Sequence, residues 1–563
     1  MSDQVPDPHA IVAAFAARAK LDLSADERAR LVEYVRDTWD LADRLREVAT
    51  PGLEGLREAL PLRAAYANRP GRERAEELAP PPGPGRPRPV PDEVLLGSLT
   101  DAASALARGD LTPLDLVHAQ LERIARYDGA VRSYVTVDGQ GALAASARLT
   151  DELATQGLRS LLHGVPFGAK DSIPAAGLRC TYNSPLTRDW RPRRDAEAVR
   201  RLRAAGAVLV GKHNLNEFGW SLPREDDLNP PPRNPWLPEE YSVGSSSGGG
   251  AALASGLAMF ALGTDGGGSA RLPAGQHLLF GLKPGHGRVP SAGVSEGRVS
   301  EVSVLARAAE DAAAVLAALL IDPDEDGAAE RLRLEPAAWV EHVRSSPRGL
   351  RVAVPEGYVA EVGMEDSVRA AFDATVRAVE DLGHEVVRLP PPTLSILRDG
   401  VRANFVVIAA EHYFDHEGPA KDRGRYGASA AFYNLPGACL TAADYLHALR
   451  VGELVRREVD AVLADVDVIL TPTSPVTRTS TARNPETHRR GGNAAYTSPF
   501  NISGHPGVSL PVGLSDEGLP IGMQLVGSVG GEFELLRAAR QLSGAFALPA
   551  FPDLDRMASL VAG

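Results

Sequence analysis

Two serines in glycine-rich turns are the residues of this 563-residue sequence best suited to chemistry. Ser245 opens the run SSSGGG and Ser269 closes the run GGGS, both within residues 244–274. A hydroxyl beside backbone N–H groups can attack a carbonyl carbon while those N–H groups stabilise the oxyanion. The segment between the turns, ALASGLAMFAL, is apolar and predicts a buried position. This disfavours the alternative interpretation of two flexible glycine–serine linkers.

Lys170 is the candidate base for such a serine. It follows the apolar segment VPFGA, which predicts a lysine at the end of a buried strand. A lysine accepts a proton only in its neutral form, and burial favours that form over the ammonium. The alternatives are an ion pair with Asp171 or a side chain that extends to solvent.

The other residue types that could do chemistry give weaker patterns. Thirteen histidines occur, and none of the candidates has a recognisable Ser-His-Asp context: His163, His213, His277, His286 and His505. No paired histidine, cysteine or acidic residues have the spacing of metal ligands. We therefore expect neither a metal nor a cofactor.

Alternating short strands and helices must position Lys170 and the two serines. A helix predicted over residues 195–206 leads directly into a buried strand at 207–212. Further helices are predicted at 98–109, 113–127, 138–157, 308–320, 366–382 and 444–463, with strands at 351–355 and 466–472. This alternation indicates an α/β fold built on a mixed sheet.

Residues 1–77 predict a separate, small all-α module. Ser24 and Glu27 form a capping-box pattern, and the apolar residues from Leu31 to Val48 then recur at helical spacing. The resulting apolar stripe must be covered, either by docking on the main body or by a dimer contact. Residues 78–92 are a proline-rich linker, and residues 93–563 form the main domain.

Composition excludes several classes of partner. The net charge is −13 and no sustained basic run occurs, so a nucleic acid is not expected as a partner. No apolar run reaches membrane-spanning length. Two cysteines far apart in sequence, Cys180 and Cys439, give no disulfide framework and favour a reducing compartment. We expect a cytoplasmic protein.

Residues 244–274 resemble the signature of the amidase signature family of Ser-Ser-Lys hydrolases. Aligned without a gap, Ser245 falls on the bridging serine, Ser269 on the nucleophile and Asp265 on the acidic position, while Arg271 and Pro273 match the closing Arg-x-Pro. The upstream segment HGVPFGAKD resembles the one that carries the family's lysine, which assigns that role to Lys170. Later segments match in order, including FGLKPGHGRVP, DVILTPTSP and SPFNISGHPGVSLPVG, so the resemblance extends from about residue 93 to the end.

The resemblance implies a large mixed β-sheet covered by helices on both faces, and it implies a mechanism. Ser269 would attack the amide carbonyl and become acylated, while Ser245, preceded by a cis peptide bond, would relay the proton to neutral Lys170. The backbone amides of residues 266–269, including those of Gly266, Gly267 and Gly268, would form the oxyanion hole.

Ser246, Asp265 and Arg271 are expected to support these groups from behind. If the alignment is allowed a one-residue gap, Ser246 and Ser247 are alternatives to Ser245 as the bridging serine.

The function predicted in this way is hydrolysis of a small linear amide to a carboxylate and ammonia or an amine. The first alternative is a glutamine-hydrolysing amidotransferase subunit that needs a partner enzyme, and a catalytically silent scaffold is the second. The N-terminal helices weakly resemble the small accessory subunit of tRNA-dependent amidotransferases. Helical extensions also occur on stand-alone amidases, where they contribute to dimers, and we expect a homodimer.

Overall fold

The structure is a computed structural model that describes residues 7–19, 24–48, 87–294, 297–320, 336–417, 436–478, 492–549 and 551–562. The helices in these ranges are α1 Pro8–Ala19, α2 Ala25–Arg46, α3 Asp92–Leu96, α4 Leu99–Ala107, α5 Pro113–Val131, α6 Gly139–Gln156, α7 Glu197–Ala204, α8 Ser247–Ala254, α9 Arg271–Gly275, α10 Ala309–Leu319, α11 Pro336–Arg344, α12 Glu356–Val362, α13 Asp366–Asp381, α14 Leu397–Glu417, α15 Ala442–Leu463, α16 Pro499–Ile502, α17 Glu532–Ser543 and α18 Leu554–Ala562. The strands are β1 Tyr134–Val137, β2 Pro166–Lys170, β3 Val208–His213, β4 Arg233–Asn234, β5 Leu237–Tyr241, β6 Phe260–Asp265, β7 Phe280–Lys283, β8 Glu301–Ala306, β9 Arg351–Pro355, β10 Glu385–Leu389, β11 Val468–Pro472, β12 Gly507–Leu514 and β13 Pro520–Val526.

An eleven-stranded mixed sheet forms the centre of the protein. Its strand order is β1-β3-β2-β6-β8-β7-β12-β13-β11-β9-β10, and β4 and β5 form a separate hairpin. Strands β3, β2 and β6 run parallel to one another, whereas β6, β8 and β7 are antiparallel neighbours. The predicted mixed α/β sheet is confirmed.

Helices cover both faces of this sheet, and the side chains of β6 show why. Phe260 and Leu262 point into one buried cluster, which includes residues of α10 such as Leu316. Ala261, between them, points into a second cluster with residues of α5 and α8. Since side chains alternate along a strand, an apolar residue at every position requires a layer of helices on each face.

The parallel pairing of β2 with β6 positions the candidate catalytic residues. Ala169 lies opposite Leu262 in the ladder, so Lys170 ends its strand beside the last residues of β6. The glycine-rich turn with Ser269 follows β6 directly, and α9 begins two residues later at Arg271. Ser245 precedes α8, which packs against β2 and β6. The sheet therefore brings Lys170 and both serine turns to one edge.

Helix α2 packs on the main body, which is one of the two arrangements that the sequence left open. It contacts α14 and α15, and Arg46 Nη2 lies 2.6 Å from Asp444 Oδ1. Leu45 belongs to the main hydrophobic cluster, while Leu31 and Val35 pack in a smaller one with Cys439 at its edge. Residues 1–6, 20–23 and 49–86 of the predicted module and linker lie outside the described residues. Helix α3 begins at Asp92, which the sequence assigned to the linker.

No helix in the described part of the chain has both the length and the apolar character needed to cross a membrane.

Candidate active site

Lys170 and Ser245 lie in contact, although 75 residues separate them in the sequence. Lys170 is 1% exposed at the end of β2, and its Nζ lies 2.8 Å from Ser245 Oγ. A second hydroxyl, Thr264 Oγ1, lies 2.5 Å from the same Nζ. The lysine therefore neither pairs with Asp171 nor extends to solvent, because Asp171 pairs with Lys212 at 3.3 Å instead.

The two alternative bridging serines have other surroundings. Ser246 Oγ donates to Thr264 O at 3.2 Å and accepts from Thr264 N at 3.3 Å, which fixes the start of α8 against β6. The Ser247 hydroxyl is buried and has no hydrogen-bond partner in the described part of the chain. Of these three serines, Ser245 is the one that contacts Lys170.

The peptide bond between Gly244 and Ser245 is cis, as the resemblance predicts. A side chain at Gly244 would force Asn216 to move, since a Cβ there would lie 2.2 Å from Asn216 Oδ1. Glycine at this position allows the close approach of the two segments.

Ser269 lies next to the first serine turn. Its carbonyl oxygen accepts a hydrogen bond from Ser246 N at 3.0 Å, which joins the two turns directly. Ser269 is partly exposed, whereas Lys170 and Ser245 are buried. Of the predicted catalytic residues, Ser269 is thus the one that a substrate can reach from outside.

Asp265 and Arg271 hold the Ser269 turn from behind. Both side chains are fully buried, and the guanidinium binds the carboxylate through two contacts of 2.9 Å. Asp265 also accepts the backbone N–H of Gly268 at 2.7 Å and that of Arg271 at 3.2 Å. Burial by itself raises the pKa of Asp265, but the charge and hydrogen bonds of Arg271, with a hydrogen bond from Asn501, hold it well below the usual range.

This network changes the set of amides that can stabilise an oxyanion. Because the Gly268 N–H donates to Asp265, it is engaged and does not face a free acceptor position. Within the described residues, the N–H groups of Gly266, Gly267 and Ser269 have no acceptor. Gly268 instead serves the turn itself: its φ is +125°, and a Cβ there would lie 2.3 Å from Thr497 Oγ1.

Several residues of the site were not found from the sequence. Arg271 also donates to Thr497 O at 3.0 Å, Gln524 Oε1 at 2.6 Å and Asn501 Oδ1 at 2.5 Å, so its buried charge is fully bonded. Asn404 on α14 donates to Gly266 O at 2.9 Å. Asn501 and Thr264 lie in segments that the resemblance includes, whereas nothing in the sequence pointed to Asn404.

Two of the buried histidines, His163 and His277, bond to other groups, whereas the ring nitrogens of His213 have no hydrogen-bond partner within the described residues. Burial lowers the pKa of His213 to about 3, and it lowers those of His277 and His505 to about 4. His277 Nε2 lies 2.9 Å from Ser242 Oγ, and His163 Nε2 lies 2.9 Å from Leu149 O.

The sequence showed no Ser-His-Asp context for His505, but in the structure its ring lies between a serine and an acidic residue. Nδ1 lies 3.0 Å from Ser503 Oγ, and Nε2 lies 3.0 Å from Asp460 Oδ1. This is a serine–histidine–acid arrangement, but Ser503 is buried at 3% exposure and so is not placed to meet a substrate.

No group of three or more histidine, cysteine or acidic residues in the described ranges could hold a metal ion.

The fold and the site define an enzyme of the amidase signature class, and comparison with known proteins shows the family. The family model described as Amidase matches residues 115–536, which is more than half of the chain, so the chain belongs to this family. A glutamyl-tRNA(Gln) amidotransferase subunit from Roseiflexus castenholzii is 36% identical over 479 residues, covering 78% of this chain and 94% of the relative.

Two solved structures have the same architecture. One belongs to a vestigial protein complex that reveals the evolutionary origins of an s-triazine catabolic enzyme, with a TM-score of 0.72 and 28% identity over 80% of this chain and 98% of that chain. The other is the native peptide amidase of Stenotrophomonas maltophilia, with a TM-score of 0.67 and 26% identity over 81% of this chain and 98% of that chain.

Proposed function

We propose that this chain cleaves the C–N bond of a carboxylic amide through an acyl-enzyme on Ser269. The contact of 2.8 Å between the buried Lys170 Nζ and Ser245 Oγ carries the proposal, because it provides a proton acceptor beside the Ser269 turn. A buried amine next to a hydroxyl is the arrangement that proton relay requires.

The proposed reaction begins with attack of Ser269 Oγ on the carbonyl carbon. The Ser269 proton passes to Ser245 Oγ as the proton of Ser245 passes to Lys170 Nζ. Collapse of the tetrahedral intermediate breaks the C–N bond, and the leaving nitrogen takes the proton back through Ser245. Water then attacks the ester with the same relay, which releases the carboxylate and restores Ser269.

The oxyanion in this proposal is bound by the N–H groups of Gly266, Gly267 and Ser269. Their lack of acceptors within the described residues supports the assignment, since donors without partners are suited to a charge that develops only during reaction. The Asp265–Arg271 pair fixes the turn, so these donors need little reorganisation when the charge appears.

Two kinds of enzyme perform this step: a stand-alone amidohydrolase, which the sequence predicts, and a glutamine-hydrolysing amidotransferase subunit, which was the alternative. The curated relatives favour the amidotransferase subunit. The Roseiflexus relative and other curated relatives are amidotransferase subunits, which supports a glutamine-hydrolysing subunit with a partner. The peptide amidase neighbour supports a hydrolase. A small amide as substrate and ammonia or an amine as product are common to both.

The purified chain alone, supplied with glutamine or with simple amides, tests the proposal by release of ammonia. Turnover of simple amides without a partner would support the hydrolase, and turnover of glutamine that rises on addition of a partner fraction would support the subunit. Ser269→Ala should abolish release in either case. Release that persists in Ser269→Ala at a comparable rate would contradict the proposal.

A further inference from the structure

Asn404 on α14 makes one side-chain hydrogen bond in the described part of the chain. The side chain is 2% exposed, and its Nδ2 donates to the carbonyl oxygen of Gly266 at 2.9 Å. A carbonyl oxygen can only accept, so the amine end of the asparagine amide is the end that faces it. The other end, Oδ1, is buried and has no partner among the described residues. Asn404 therefore directs its one polar contact at the turn that carries Ser269.

This hydrogen bond fixes the peptide unit between Gly266 and Gly267. The cis peptide bonds of the described residues lie elsewhere, so this unit is trans. In a trans unit the C=O and N–H bonds point in opposite directions within one rigid plane. Because Asn404 holds the oxygen of Gly266 on one side, the N–H of Gly267 must point to the other side.

The N–H of Gly267 is one of the three proposed oxyanion donors. It has no acceptor within the described residues, and Gly267 is partly exposed, as is Ser269. Gly268 is instead buried, and its N–H donates to Asp265. The turn thus keeps a donor free where a substrate can reach it, and such a donor is effective only if its direction is set before the charge develops. The direction of the Gly267 N–H is set from behind, by the bond to the carbonyl oxygen of Gly266.

The next peptide unit of the turn differs, because it is held at both ends. Thr497 Oγ1 donates to Gly267 O at 2.7 Å, and the N–H of the same unit, that of Gly268, donates to Asp265 Oδ1 at 2.7 Å. If the threonine hydroxyl is lost, one hydrogen bond still orients this unit. The unit between Gly266 and Gly267 has no second bond within the described residues, and glycine at both positions leaves its plane free to rotate. Its orientation therefore depends on the asparagine.

We propose that Asn404 is a positioning residue for amide cleavage: by holding the carbonyl oxygen of Gly266, it aims the N–H of Gly267 at the oxyanion. The inference rests on the proposed function and adds a residue of α14, outside the glycine-rich turn, to the groups that the reaction needs. Asn404 acts through the peptide unit and not on the reacting atoms. Its loss should therefore affect the transition state, in which the oxyanion forms, more than the bound amide.

Two variants of similar size test this role through the turnover of propionamide or glutamine, whichever the unsubstituted chain cleaves faster. Asn404→Leu removes the donor and should lower kcat by about 10- to 100-fold, since one correctly placed oxyanion donor contributes about 100- to 1,000-fold. KM should change by less than about 2-fold, because the lost interaction belongs to the transition state.

Asn404→Asp adds a pH-dependent readout that a purely structural role would not give. The carboxylate of this variant cannot donate to Gly266 O, whereas the protonated acid donates its O–H. A lower pH favours the acid form. Measured relative to the unsubstituted enzyme at the same pH, kcat of Asn404→Asp should therefore exceed that of Asn404→Leu, and the margin should grow as the pH falls.

Two control variants separate aim of the donor from general damage. Thr497→Val also removes a side-chain donor from a carbonyl of the turn, but it should lower kcat less than Asn404→Leu does, because the N–H of Gly268 stays bonded to Asp265. Val407→Ala removes buried packing from the same helix. It should lower the melting temperature and leave kcat unchanged.

Crystal structures of the same variants report the peptide orientation without any turnover. We expect the plane between Gly266 and Gly267 to rotate in Asn404→Leu and to keep its orientation in Val407→Ala. An unchanged plane in Asn404→Leu, or equal kcat for Asn404→Leu and Asn404→Asp at every pH, would overturn the inference and leave amide cleavage in place. A rotated plane in a chain whose unsubstituted form cleaves no amide would reject the proposed function and retain the effect of Asn404 on the turn.

Discussion

The Lys170 side chain lies beside two hydroxyls, which supports the proposed role of this lysine as a base. Ser245 Oγ and Thr264 Oγ1 both lie within hydrogen-bond distance of Nζ, whereas the neighbouring buried lysine, Lys212, contacts the Asp171 carboxylate. A carboxylate stabilises the ammonium, but hydroxyls also accept the neutral amine as a partner. The chain thus carries two buried lysines in adjacent strands with different surroundings.

Replacing Lys170 should lower kcat/KM much more than replacing its hydroxyl partner Thr264. Lys170→Met removes the proton acceptor and should lower kcat/KM by about a thousandfold, the scale of general acid–base catalysis, while circular dichroism stays unchanged. Thr264→Val keeps the amine and removes one of its partners, and we expect about a tenfold loss. Steady-state ammonia release measures both. Equal activities of Lys170→Met and the unsubstituted enzyme would contradict the role.

The Asp265–Arg271 pair makes stability depend on pH. The pKa of Asp265 in the folded protein lies below the unfolded value of about 3.9, so its carboxylate form stabilises the fold. This contribution is present above that value and is lost as the pH falls below it. Asp265→Asn leaves Arg271 buried without its counter-charge and should cost about 3 to 5 kcal/mol at pH 7.

Urea unfolding at a series of pH values measures this effect. The difference in unfolding free energy between the unsubstituted protein and Asp265→Asn should shrink as the pH falls towards 3. Asp101→Asn, at an exposed position on α4, is the matched control and should show little difference at any pH. A difference for Asp265→Asn that stays constant with pH would argue against the carboxylate as the stabilising form.

At the scale of residues, the sequence predicted the groups inside the signature better than those outside it. Ser245, Lys170 and the Asp265–Arg271 pair lie in segments with a recognisable pattern. Asn404 is an ordinary residue of a helix, and only the fold brings it to the site. Thr264 lies within the signature, but its contact with Lys170 depends on the pairing of β2 with β6. The engagement of the Gly268 N–H by Asp265 is a matter of turn geometry, which the spacing of glycines does not specify.

Among the elements, the turn between β6 and α9 depends most strictly on glycine. At Gly268 a side chain would combine a φ of +125° with a contact of 2.3 Å to Thr497 Oγ1. Gly268→Ala should therefore displace the turn and lower kcat by at least about tenfold, because small shifts of the reacting groups are costly.

Gly177→Ala provides the matched control for this turn. Gly177 also has a positive φ, +79°, but nothing lies within 4 Å of its Cβ position. Both substitutions should cost about 1 kcal/mol of stability through the backbone, and only Gly268→Ala should reduce turnover. Thermal unfolding and ammonia release, measured on both variants, give the comparison. Equal activity of the two variants would mean that the turn is not held as described.

The elements themselves were largely predictable, and their pairing was not. The buried strand at 207–212 and the helix at 366–382 correspond to β3 and α13, because apolar runs and helical periodicity are local signals. The order of the eleven strands depends on contacts between distant segments. The docking of α2 also depends on contacts between distant segments. Its apolar stripe showed that this face must be buried, but not which part of the protein would bury it.

At the scale of the whole molecule, the N-terminal helices are part of the stability of the main body. Deleting residues 1–48 would expose the surface of α14 and α15 that α2 contacts, and it would remove Leu45 from the main cluster and Leu31 and Val35 from the smaller one. We expect a melting temperature lower by several degrees, since each fully buried aliphatic side chain contributes about 1.5 to 3 kcal/mol. Arg46→Met, which removes an ion pair from a half-exposed arginine, should cost less than about 1 kcal/mol.

Differential scanning calorimetry of both variants tests this expectation. An unchanged melting temperature after the deletion would mean that α2 does not stabilise the body in solution. The homodimer predicted from the sequence stays a prediction, and light scattering of the same samples measures it: we expect twice the mass of one chain.

The central claim is that Ser269 becomes acylated, and mass spectrometry of the trapped intermediate tests it most directly. The enzyme is mixed with an activated ester of phenylacetic acid, quenched with acid during turnover and digested. We predict one added phenylacetyl group on the peptide that contains Ser269, and none in Ser269→Ala. An acyl group on Ser245 or on any other residue of the active enzyme would contradict the account.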